Sequence, residues 1–150
     1  MADFTRNIAV AQIDSVLGEI EPNLNKIRHF TQLAASLGAE IVVFPECCTT
    51  CYFVGDRLRT LAEAPDAATA TALADIARKS RVHLAVGMFT TQAGAVCNSQ
   101  LLLSPGGKLA SVISPKPLIT VMRLLKSWAT PPASRPIASM RAARKRRSWV

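Results

Sequence analysis

The sequence predicts an α/β fold, a mixed β-sheet with flanking helices, and three observations carry that expectation. Two short apolar runs, Ile8-Ala9-Val10-Ala11 and Ile41-Val42-Val43-Phe44, bracket a stretch whose apolar residues recur at helical spacing. That is the pattern of a β-α-β unit with parallel neighbouring strands and a right-handed crossover. Further on, the runs His83 to Phe89 and Val96 to Leu103 lead into Pro105-Gly106-Gly107, a turn before Lys108 to Ile113. Past Lys116 the texture changes, which bounds the folded part.

In order, Thr5 to Ile13 reads as a first strand and Asp14 to Gly18 as a loop. From Pro22 the residues Leu24, Ile27, Phe30, Ala34 and Leu37 form one helical stripe, with Pro22 in the first turn and Gly38 at the C′ position. His29 falls at the edge of that stripe and reads as a surface residue. Ile41 to Phe44 is expected to be a strand buried on both faces, stopped by Pro45, which has no N–H to donate to a ladder. Residues 52–61 suggest an irregular helix. Asp66 is placed to cap a helix over Ala67 to Lys79, with Leu73 and Ile76 inward and Arg78 and Lys79 complementing the C-terminal dipole. The expected order is β-α-β-(α)-α-β-β-β.

A chain of 150 residues that is 49% hydrophobic has room for one domain with a core. It holds no apolar run long enough to span a membrane. Asp3 and Asn7 interrupt any signal-peptide core, so the expected compartment is the cytosol. The net charge of +8 is unevenly placed: residues 1–117 hold 10 basic and 10 acidic side chains, and residues 118–150 hold 8 basic and none acidic. The expected division is therefore a domain over 1–117 and a basic, proline-containing tail over 118–150. Within the tail, Leu118 to Trp128 has the composition of a short helix, and Arg141 to Arg147 is a cationic run. One function class open to such a tail is binding of nucleic acid or an anionic membrane.

Four cysteines, at 47, 48, 51 and 97, are expected to be reduced. Cys48-Thr49-Thr50-Cys51 has CxxC spacing, which admits redox or metal chemistry with Cys47. A zinc site would want a second pair, and neither His29 nor His83 has ligand-like spacing. No phosphate-binding glycine loop is present. No cofactor or metal is therefore expected. The first candidate for chemistry is Glu46, just past a strand's C-terminal end, where open α/β sheets place their sites. A carboxylate beside an apolar strand is costly to bury unless paired; the alternative is one turned to solvent.

Together, IAVAQID, NLNKI, AEIVVFPECC, LADIARKSRVHLAVGM and CNSQLLLSPGGKL stand in the order found in one family. Residues 6–112 resemble the first half of a nitrilase-type carbon–nitrogen hydrolase. The resemblance implies the N-terminal part of a four-layer αββα sandwich, assembly through outer helices, and a nitrile, amide or carbamoyl substrate. It implies a Glu-Lys-Cys site, in which a carboxylate activates a thiol and a cation stabilises the oxyanion. Glu46 of Phe44-Pro45-Glu46 matches the general base, and Asn98 with the following LLLSPGG matches the strand and hairpin that precede the lysine. Lys116 stands about one position from the place of the oxyanion-stabilising lysine, between Pro115 and Pro117. Cys51 occupies a position where relatives tend to have glycine. The family's nucleophile lies downstream of the lysine, and no cysteine follows Cys97. The chain is thus expected to be catalytically incomplete, the product of truncation or a frameshift near residue 113.

Overall fold

The computed structural model describes residues 7–113. Lys116 and the basic segment 118–150, with the boundary drawn at 117, lie outside the described residues. Three strands and three helices alternate first: β1 (Ile8–Val10), α1 (Ile20–Ser36), β2 (Ile41–Val43), α2 (Leu58–Leu61), α3 (Ala68–Ser80) and β3 (His83–Gln92). A 3-10 turn at Gly55–Arg57 leads into α2, and β4 (Ala95–Leu103) and β5 (Leu109–Ile113) complete the order. This is the order expected.

The strands form one mixed sheet in the order β1-β2-β3-β4-β5. β1, β2 and β3 are parallel, with Ala9 opposite Val42 and Val42 opposite Leu84. β3, β4 and β5 are antiparallel, and a register shift at Leu102 and Leu103 marks a bulge. The β3–β4 connection is two residues long. Ala93 and Gly94 both have positive φ, 48° and 77°, the backbone of a type I′ hairpin turn. The sequence reading ended the first of these strands at Phe89; the tight turn carries the ladder to Gln92.

Strand alternation divides the sheet into two faces. On one face Val42, Leu84, Val86 and Leu101 pack against Leu24 and Ile27 of α1 and Leu73 and Ile76 of α3. On the other face, the segment after β2 covers β3 and β4 locally, where Cys47, Val54 and Ala62 pack on Phe89 and Val96. The other described residues leave the rest of that face uncovered. Among the described residues β2 is consequently not buried on both sides: Val42 is buried, while Ile41 and Val43 are half-buried. Pro45 does end the strand region, after Phe44 N–H donates to the Ala85 carbonyl at 2.8 Å.

α1 starts at Ile20 and includes Pro22 in its first turn. It ends as expected on Gly38 at φ +85°. There Ala39 N–H donates to Ala34 O and Gly38 N–H to Ala35 O, both at 3.0 Å, which closes a Schellman motif. Only the first half of the predicted stripe is covered. Leu24 and Ile27 are buried, but Phe30 is 36% and Leu37 79% exposed.

The cap of α3 differs from expectation. Asp66 is exposed, and Glu63 takes the capping role. Its carboxylate accepts from Thr69 N–H at 2.9 Å and from Thr69 Oγ1 at 2.7 Å. Glu63 also bridges β3 through its backbone, donating to Phe89 O and accepting from Thr91 N–H. A longer side chain already anchored on the sheet reaches the helix start better than the adjacent aspartate does. Glu63→Ala should lower stability by about 1–2 kcal/mol, the usual effect of losing a cap, and Asp66→Ala should change it little; urea unfolding of both variants measures the contrast.

Candidate functional site

The candidate site forms where the chain leaves β2. After Pro45 the backbone turns back across the open face of β3 and crosses it at Gly87. A Cβ built on Gly87 would lie 2.6 Å from Pro45 O, Glu46 Cα and Cys47 N. Only glycine admits this approach. The crossing places Glu46 over β3 and β4, and Asn98 of β4 donates its side-chain amide to Glu46 Oε1. The Glu46 side chain is exposed at the sheet's end, with Asn98 half-buried beneath it.

The amide of Asn98 is oriented from its other end. The Cys47 thiol, fully buried, donates to Asn98 Oδ1 at 3.4 Å. An amide whose oxygen accepts from the thiol must present its nitrogen to the carboxylate, so Cys47, Asn98 and Glu46 form a directed line. Tyr52 closes the cluster: its hydroxyl is held protonated above its ordinary value, first by burial and then by the charge and hydrogen bonding of Glu46.

Cys47 and Cys48, the two buried thiols after Glu46, are not activated. Burial raises the Cys47 thiol far above its ordinary value of 9.0, and the Glu46 charge adds to it. Burial pushes Cys48 up to about 12, and its thiol donates to Gly87 O at 3.6 Å. A redox CxxC motif needs the opposite, a thiolate stabilised near neutral pH. Cys47 and Cys51 have φ of 51° and 66°, so the turn is left-handed at both. The position read from sequence as a glycine site, Cys51, does adopt the glycine-favoured conformation. All four thiols are free. Among the described residues no cluster of three or more His, Cys, Asp or Glu side chains could hold a metal ion, and no helix is long and apolar enough to cross a membrane.

A buried asparagine that sequence reasoning assigned only to a helix motif braces the site from behind. Asn23, fully buried on α1, accepts from Val16 N–H at 2.7 Å and donates to Val16 O at 2.8 Å and Thr49 O at 3.0 Å. Ser15 Oγ donates to Cys48 O at 2.8 Å, and Gly18 N–H to Thr50 O at 2.7 Å. The loop before α1 and the loop after β2 are thereby joined. No periodicity marks such a residue; a polar side chain at an inward helical position was the available signal.

Against known proteins, the sequence matches the model of the carbon–nitrogen hydrolase family over residues 7–123. The chain belongs to the carbon–nitrogen hydrolase family. It is 38% identical over 100 residues to a protein named as a hydrolase in Mycobacterium tuberculosis, a stretch that is 66% of this chain and 35% of that relative. It is 28% identical over 103 residues to a nitrilase of Pyrococcus abyssi, covering 67% of this chain and 39% of the relative. Among solved structures, an amidase of the nitrilase superfamily from Nesterenkonia AN1 superposes with a TM-score of 0.64 at 20% identity, over 73% of this chain and 42% of the amidase. Nit3 of Saccharomyces cerevisiae, a member of branch 10 of the nitrilase superfamily, gives 0.62 at 20% identity, over 73% of this chain and 43% of its own. The expected α/β architecture is therefore found, as an N-terminal part of the nitrilase-superfamily fold. This carbon–nitrogen hydrolase chain spans well under half the length of the relatives it matches.

The Gly87 crossing yields a measurable consequence. Gly87→Ala should cost about 1–3 kcal/mol through overpacking and should lift the Pro45–Cys47 backbone. At pH 8 in the native wild-type chain, Cys47 and Cys48 should resist a thiol reagent that labels all four cysteines in denaturant; in Gly87→Ala, Cys47 should become reactive without denaturant.

Proposed function

We propose that Glu46 is the general base of a carbon–nitrogen hydrolase site that acts on non-peptide C–N bonds in nitriles, amides or N-carbamoyl compounds. The observation that carries the reading is the carboxylate at the end of β2, held by the Asn98 amide, within the segment that matches the family. In the reaction, Glu46 takes the proton from a cysteine thiol as sulfur attacks the substrate's electrophilic carbon. For an amide, the proton passes to the departing amine as the C–N bond breaks, leaving a thioester. Glu46 then deprotonates water, which hydrolyses the thioester and returns the thiol. Lys116 is proposed as the cation that stabilises the oxyanion.

The nucleophile is proposed to come from outside residues 1–150. Buried and strongly protonated, Cys47 and Cys48 are poor thiolates, and no cysteine follows Cys97. Domain boundaries follow the same reading, with the family part over 1–117 and the basic segment over 118–150. The family match reaches residue 123, into that basic segment.

Joining residues 1–112 to the part of the Mycobacterium tuberculosis relative that follows its aligned stretch tests the base assignment. The chimera should hydrolyse an amide or N-carbamoyl substrate, and Glu46→Gln should lower kcat by about 10²–10⁴-fold with the fold retained. An active chimera indifferent to Glu46→Gln would overturn the assignment. The 150-residue chain alone should show no turnover that depends on Glu46.

A further inference from the structure

We propose that Asn98 is a positioning residue for the general base: its amide fixes the Glu46 carboxylate, and the buried Cys47 thiol keeps that amide from inverting throughout proton transfer. The inference rests on the reading of Glu46 as the base and adds what holds it. A base must be kept within a fraction of an ångström of its productive place, by side chains that are themselves held. Glu46 is exposed among the described residues and stands on a turn, so packing does not select its rotamer. Its hydrogen bond from Asn98 does.

Asn98 stands on the firmest element available. It lies in β4 opposite Phe89 of β3, inside a ladder of nine residue pairs. Its oxygen accepts from the Cys47 thiol at 3.4 Å. Cys47 is fixed in turn: it is 0% exposed, and its backbone nitrogen rests against Gly87, where only glycine fits. Burial also keeps the thiol protonated, so it stays a donor.

The thiol matters most after the base has worked. While Glu46 is charged, the carboxylate itself selects the nitrogen end of the amide. Once Glu46 has taken the nucleophile's proton, that selection is gone. A protonated carboxyl could then donate to an inverted amide oxygen, which would tie the proton to Asn98 instead of releasing it to the departing amine. Inversion would turn the amide N–H groups onto sulfur, a weak acceptor, and leave the S–H without its oxygen. No water reaches a fully buried thiol to compensate either loss. Asn98 therefore remains a donor to Glu46 in both charge states, and the proton stays transferable.

The contact is read first in the full 150-residue chain. After nitrogen-15 labelling, one Nδ2 proton of Asn98, identified by its loss in Asn98→Leu, should lie downfield of an ordinary asparagine amide. Glu46→Ala should remove the displacement. The role is read in the chimera described above. Asn98→Leu, which keeps the volume and removes the donor, should lower kcat about 10²-fold with KM unchanged. Cys47→Ala should lower kcat about fivefold, and Cys47→Ser, whose hydroxyl donates to the same oxygen, should recover most of that loss. Packing alone predicts no such recovery, because serine is more costly to bury than alanine. An Asn98 amide indifferent to Glu46→Ala, a loss carried by KM, or a serine variant no better than alanine would each overturn the proposal. The base assignment fails separately: turnover that ignores Glu46→Gln sinks the base, whereas turnover that depends on Glu46 but not on Asn98 sinks only the positioning.

Discussion

The site depends on a missing side chain. At Gly87 the backbone leaving β2 passes 2.6 Å from where a Cβ would stand, over the centre of the longest strand. Everything that gives Glu46 its place follows from this crossing. It turns the chain onto the face opposite the helices, where Asn98 can reach the carboxylate and Cys47 can reach Asn98. It also packs Cys47, Val54 and Ala62 on Phe89 and Val96, the one part of that face the described residues cover. A methyl group at residue 87 would disturb all of these contacts together.

A second constraint acts from the helix side. Asn23 spends its amide on two loop carbonyls and one loop N–H, so its burial leaves no polar atom unpaired. Through these bonds the loop before α1 and the loop after β2 are positioned by the same helix. Glu46 therefore sits on irregular backbone that is nonetheless fixed, because glycine admits it from below and asparagine ties it from the side. The thiols nearest the carboxylate are part of that support. Their burial makes them good packing and hydrogen-bond partners and poor nucleophiles.

Much of the fold was legible because periodicity reports on burial. The β-α-β unit, the inward Leu73 and Ile76, the Gly38 terminus and the stop at Pro45 all followed from spacing and backbone chemistry. The misreadings have a common physical cause: contacts between residues distant in sequence. Asp66 was adjacent to its helix, but Glu63, anchored on β3, holds the cap. The stripe ending in Phe30 and Leu37 and the strand Ile41 to Phe44 predicted full cover, and the described residues supply cover on one side only. At the candidate site, Glu46 was singled out by its place after a strand, and Cys51 by the resemblance, at a position where relatives tend to have glycine. Asn23, Gly87 and the link from Cys47 to Asn98 were not, since each depends on a tertiary approach that no local pattern encodes.

The two-residue Ala93–Gly94 turn bears on the order of assembly. It joins strands adjacent in sequence, so this ladder needs little loop closure, and hairpins of this kind form in about 1–10 μs. The parallel pairings of β1 with β2 and of β2 with β3 must instead wait for long crossovers to close, which makes them slower. The central hairpin is thus the natural template on which the amino-terminal segment settles. Gly87 and Asn98 lie within that hairpin, so the carboxylate is anchored on the part of the sheet whose pairing is most local in sequence.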